Sequence, residues 1–81
     1  MTNVTLYSTG TCPYCVAAES LLKKRGITTI EKIRVDQSAQ ALEDMIQKTG
    51  RKTVPQIFIN EQYVGGFDDL VKFDAARKIL P

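Results

Sequence analysis

Apolar and polar positions divide the chain into short periodic segments, each closed by a glycine or a polar turn. Residues 3–8 are rich in β-branched and aromatic types and stop before Gly10, which predicts a strand. From Pro13 to Arg25, Ala18, Leu21 and Leu22 recur at helical spacing, with Pro13 suited to a first turn and Gly26 to a stop. Residues 29–36 set Ile33 and Val35 against Lys32 and Arg34 in alternation, the mark of a strand with one wet face near a sheet edge. Leu42, Met45, Ile46 and Thr49 then repeat at i, i+3, i+4 and i+7, giving an amphipathic helix over 38–49 ended by Gly50. That stripe reads as core.

Two short apolar runs, 56–59 and 62–64, flank Asn60-Glu61 and predict a β-hairpin. Glu61 poorly suits the positive φ of a two-residue turn, so a slightly longer loop is expected. After Gly65-Gly66, Asp68-Asp69 opens a last helix through Leu70, Phe73 and Ala76, with Arg77 and Lys78 placed to match its dipole. The order strand, helix, strand, helix, hairpin, helix makes the first three elements a right-handed βαβ unit with parallel strands. The expected fold class is α/β with a mixed four-stranded sheet, and residues 1–81 read as one domain without repeats or linkers.

Composition narrows the chemistry. A net charge of +2, with Lys23-Lys24-Arg25, Arg51-Lys52 and Arg77-Lys78 scattered among acidic residues, argues against nucleic acid as a partner. No apolar run approaches the roughly 18 residues of a membrane span. Residues 1–4 have neither a basic start nor a long apolar stretch, so the expected location is cytoplasmic. There is no histidine and there are two cysteines, which removes Cys-His catalysis and makes a zinc site improbable; no metal is expected. Redox chemistry remains.

Both cysteines lie in Thr11-Cys12-Pro13-Tyr14-Cys15, where the first strand gives way to the first helix. A C-x-x-C at that junction reads as a thioredoxin-like redox motif. The free N–H groups and positive end of the helix favour an anion, so Cys12 is the expected nucleophile and Cys15, one turn inside, the resolving thiol. The bland alternative is a structural disulfide, but closing about four residues stabilises by only ~2 kcal/mol. Lowering a thiol from about pKa 8.5 to about 5 raises its thiolate fraction at pH 7 roughly 30-fold and lowers its nucleophilicity roughly 40-fold. Attack gains nothing; the benefit is a sulfur that leaves faster from a mixed disulfide. Specificity then needs a groove for one disulfide partner.

Three stretches together, Cys12-Pro13-Tyr14-Cys15, residues 53–59 (TVPQIFI) and residues 65–70 (GGFDDL), resemble the motifs of dithiol glutaredoxins, in order and along essentially the whole chain. The resemblance implies a thioredoxin-like fold and a glutathione-dependent thiol-disulfide oxidoreductase, with glutathione as co-substrate. It implies that Pro55 is cis beside the cysteines and that the Val54 backbone pairs with the cysteine moiety of glutathione. It gives the γ-glutamyl end to the Asp68 backbone and the Asp69 side chain. Tyr14, Thr53 and Gly66 complete the expected contacts. Each has a plainer competitor: Asp68 and Asp69 as helix caps, Thr53 as a strand start, Tyr14 as a packed ring, Gly65 and Gly66 as turn formers.

One position departs from the pattern. Dithiol glutaredoxins often carry a basic residue three before the first cysteine, and here it is Thr9, which leaves Arg51 and Lys52 as candidates for that charge. On this reading a lysine at Thr9 would tighten glutathione binding or favour the Cys12 thiolate. The resemblance also implies glutathionylated or disulfide-containing proteins as partners, ribonucleotide reductase among the candidates, and a monomer. The alternatives are a dimer holding an iron-sulfur cluster through Cys12 and glutathione, and a protein reduced by thioredoxin reductase.

Overall fold

The computed structural model describes residues 2–76, so the basic pair Arg77 and Lys78 lies outside the described residues. Strand β1 (Val4–Ser8), helix α1 (Pro13–Lys24), strand β2 (Ile30–Arg34) and helix α2 (Ala39–Thr49) are followed by β3 (Gln56–Ile59), β4 (Gln62–Gly65) and α3 (Phe67–Ala75). The strands form one sheet in the order β2-β1-β3-β4. β1 pairs parallel with β2 and antiparallel with β3, so the sheet is mixed and β2 is an edge, as the alternation of Ile33 with its charged neighbours implies.

β1 is central and buried on both faces. Val4 and Leu6 point one way, into a core with Ala18 and Leu22 of α1, Ile57 and Ile59 of β3, and Leu70 of α3. Tyr7 points the other way, against Met45 of α2 and Val35. Burying each such side chain contributes roughly 1.5–3 kcal/mol, which fixes α1 and α3 on one face of the sheet and α2 on the other. A second tie joins the two helices on the shared face: Arg25, capping the end of α1, donates from Nε and Nη2 to the Asp74 carboxylate of α3 at 2.7 and 2.9 Å.

The hairpin corrects the expectation of a longer loop. Only Asn60 and Glu61 connect β3 to β4, with φ of 50° and 68°. Asn60 donates its N–H to the Asn3 carbonyl at 2.8 Å and accepts the Asn3 N–H at 3.0 Å, so contact with the start of β1 holds the turn in a conformation that Glu61 alone would not choose. On β4 a bulge falls between Tyr63 and Gly65, where the pairing of Phe58 with Tyr63 gives way to Ile57 with Gly65.

Candidate active site

The first turn of α1 is built by Cys12 and Pro13. Cys12 is the N-cap with extended backbone (φ −113°, ψ 102°), and Pro13 occupies N1, where its missing N–H costs nothing. At N3, Cys15 donates its backbone N–H to Cys12 Sγ at 3.1 Å. A cap oxygen usually takes that N–H. Here a sulfur takes it, so one orphan donor of the helix start is turned onto Cys12 Sγ. The two cysteines form a disulfide with Cα atoms 5.2 Å apart; Cys12 is half-buried and Cys15 is 4% exposed.

Beside the disulfide lies the loop before β3. The Val54-Pro55 peptide is cis, and the Val54 carbonyl lies 3.9 Å from Cys12 Sγ. Gln56, fully buried, braces this loop: its Nε2 donates to the Thr53 carbonyl and hydroxyl at 3.0 and 3.2 Å, and its Oε1 accepts from the Tyr63 hydroxyl at 2.6 Å. A buried amide with partners at both ends holds β4, β3 and the loop in one register. The motif reading gave Gln56 no role, although a lone polar residue starting an otherwise apolar strand was a signal.

Helix α3 starts opposite. Gly66 is its N-cap, and Asp69 at N3 reaches back to accept the Gly66 N–H on Oδ2 at 3.1 Å, half of a capping box. Arg51 Nη1 stands 3.8 Å from the same oxygen. Gly66 comes against the loop, since a Cβ built on it would lie 3.5 Å from the Pro55 carbonyl. The ring of Phe67 meets that of Tyr14 at 5.8 Å between centroids, joining the starts of α3 and α1.

Between these parts runs an open groove of about 260 Å³, lined by Tyr14, Arg51, Thr53, Val54, Pro55, Gln56, Gly66, Phe67 and Asp68. Seven of the residues predicted from the sequence therefore share one surface, and Gln56 and Phe67 join them. Asp69 stands behind it as the cap of α3, and Lys52 is exposed outside its lining. Thr9 is elsewhere: it lines a smaller pocket with Cys15, Glu19, Lys32 and Arg34.

The glutaredoxin family profile matches residues 4–64. Glutaredoxin 3 of Escherichia coli strain K12 is 47% identical over 81 residues, covering all of this chain and 96% of that protein. The chain belongs to the glutaredoxin family. This glutaredoxin is a glutathione-dependent thiol-disulfide oxidoreductase of the dithiol type. Its backbone superposes on the solution structure of a dithiolic glutaredoxin from Trypanosoma brucei brucei with a TM-score of 0.83 at 38% identity, over 96% of this chain and 82% of that one. The crystal structure of a buckwheat glutaredoxin-glutathione complex gives 0.84 at 26% identity, over 96% and 73%. The four-stranded mixed sheet with helices on both faces is the thioredoxin-like fold these glutaredoxins share. No helix among its described residues is long and apolar enough to cross a membrane.

The approach to Cys12 is clamped from β2. Arg34 donates to both oxygens of Asp36 at 2.8 and 2.7 Å, and Gly10, two residues before Cys12, donates its N–H to Asp36 Oδ2 at 3.1 Å. The Arg34 hydrogen bonds, opposed by desolvation and helped by the Gly10 N–H, hold the Asp36 carboxyl well below the usual carboxylate range. Because the folded value is depressed, this clamp contributes above the unfolded pKa and is lost as pH falls through the folded one. The Gly10 amide resonance should therefore stay constant from neutral pH through about 3.9, where an unperturbed aspartate titrates, and move only below it. A midpoint at the ordinary value would show that the clamp does not hold in solution.

Proposed function

We propose that this glutaredoxin acts through Cys12 as nucleophile and Cys15 as resolving thiol, with glutathione bound along the groove. The observation that carries the reading is the position of Cys12 Sγ, at the start of α1 with the Cys15 N–H on it and the Val54 carbonyl 3.9 Å away at the groove's edge. A glutathione sulfur in disulfide exchange with Cys12 would have its cysteine moiety beside the Val54 backbone, as an extended strand adds to a free edge. The α3 start, with Gly66 and Asp68, suits the γ-glutamyl carboxylate, and Asp69 suits its ammonium. Arg51, already in the groove lining, is the better placed cation for the glycine carboxylate; Lys52 and Thr9 would act from outside it. Tyr14 and Thr53 border the peptide.

Two routes follow. Toward a protein-glutathione mixed disulfide, the Cys12 thiolate attacks the glutathione sulfur, the protein thiol leaves, and a second glutathione frees Cys12. Toward a protein disulfide, Cys15 displaces the reduced protein and leaves Cys12-Cys15 oxidised. In this reading residues 1–81 work as one monomeric cytoplasmic domain on glutathionylated or disulfide-containing proteins, with ribonucleotide reductase among the candidates. In a coupled glutathione assay, Cys15→Ser should keep turnover of a small mixed disulfide within about threefold of wild type, since that exchange uses one thiol, and lose reduction of a protein disulfide. Equal loss of both would assign the cysteines wrongly.

A further inference from the structure

β1 alternates, so Val4, Leu6 and Ser8 face the same side of the sheet as α1. Val4 and Leu6 meet Ala18 and Leu22 in the core. Ser8, 2% exposed, is the last residue of that row, and Cys15, 4% exposed, lies one turn before Ala18 on the same buried face of α1. Both line a pocket of about 130 Å³ that shares no residue with the glutathione groove, with Thr9, Glu19, Lys32 and Arg34. Among the described residues, Ser8 Oγ is the one buried side-chain nitrogen or oxygen with no hydrogen-bond partner. A hydroxyl in such a place is unfavourable unless an ordered water or another state of the protein supplies its partner.

The pocket's charges are already matched. Lys32 Nζ is 3.3 Å from Glu19, and Arg34 Nη2 is 2.7 Å from Asp36. The helix-start N–H of Cys15 is spent on Cys12 Sγ. Cys15 is therefore a buried sulfur with no assigned donor, and Ser8 is a buried donor with no assigned acceptor on the same pocket. The disulfide ties Cys15 Sγ to Cys12; cutting that bond releases the sulfur of a residue that borders the pocket.

We propose that Ser8 is the hydrogen-bond partner of the Cys15 sulfur in the reduced protein and donates to its thiolate during the resolving step. The inference rests on the dithiol route above. With glutathione disulfide standing in for the protein disulfide, the mixed disulfide of that step joins Cys12 to glutathione. The Cys15 thiol releases its proton to solvent through the pocket, and its thiolate attacks Cys12 Sγ. The Cys12-glutathione bond breaks as Cys12-Cys15 forms, and the departing glutathione thiolate takes a proton. Cys15 is oxidised and the glutathione sulfur reduced.

Single-turnover oxidation of the reduced protein by excess glutathione disulfide, quenched with acid and read by mass spectrometry, separates the two phases. The first adds glutathione to Cys12, and the second closes the intramolecular disulfide. In Ser8→Ala and Ser8→Val the ratio of second to first rate constant should fall about fivefold, because a hydrogen bond to the thiolate raises its population while lowering its nucleophilicity about half as much on a logarithmic scale. Ser8→Thr, which has the bulk of valine and keeps the hydroxyl, should stay within about twofold of wild type. An unchanged ratio in the alanine and valine variants overturns the proposal, as does an equal fall in threonine and valine. A Cys15→Ser protein that never forms the mixed disulfide sinks the assignment of Cys12 instead, and a wild type that forms it but never closes sinks the dithiol route.

Discussion

Cys12→Ser is expected to lower turnover of both small mixed disulfides and protein disulfides by roughly 10³-fold or more, because no covalent intermediate can form. A serine oxygen does not form the disulfide on which every later exchange depends. The geometry sharpens the expectation: the Cys15 N–H points at the sulfur at position 12, and a serine hydroxyl there would take the same N–H as an ordinary N-cap. The variant should fold at least as stably as reduced wild type while losing activity. Thermal unfolding beside the coupled glutathione assay separates those effects. A Cys12→Ser protein that kept even a tenth of wild-type turnover would move the nucleophile to Cys15.

Gly65→Ala should be among the most destabilising single-methyl changes in the chain. Gly65 is buried, has φ of +123°, and a Cβ built on it would run into the Asp69 carboxylate. That carboxylate cannot simply step aside, because it accepts the Gly66 N–H that starts α3. Strain in a region closed to L side chains plus the clash should cost roughly 3 kcal/mol, about 15 °C in Tm for a domain of this size. Gly50 supplies the control. It also has positive φ (+72°), but nothing lies within 4 Å of its added Cβ, so Gly50→Ala should cost only about 1 kcal/mol. Equal losses in the two variants, measured by thermal unfolding, would mean that the Asp69 cap does not order α3. Because Gly66 and Asp68 line the groove, Gly65→Ala should also raise the Michaelis constant for glutathione more than it lowers the maximal rate.

Local patterning made much of this legible. Helical spacing in 13–25 and 38–49 and β-branched residues in 3–8 mark elements that the fold keeps within one or two residues, because each buries the stripe its period defines. Helix α3 starts at Phe67, one residue before the aspartates thought to open it, since Asp69 caps from N3 and not from the N-cap position. The hairpin turn escaped for the opposite reason: the contact that fixes Asn60 comes from Asn3, 57 residues away.

The cysteine pair and its helix start belong to the sequence alone, since an N-cap, a proline at N1 and a donor at N3 lie within four residues of one another. The groove does not. Position 54 meets Cys12, and Tyr14 meets Phe67, only because β1 pairs with β3 and because α1 and α3 pack on one sheet face, and such long-range contacts leave no local periodicity. Tertiary structure likewise separated residues that the chain keeps close. Thr9 is three positions from Cys12, yet it lines the pocket shared by Ser8 and Cys15 and not the groove that Arg51 lines.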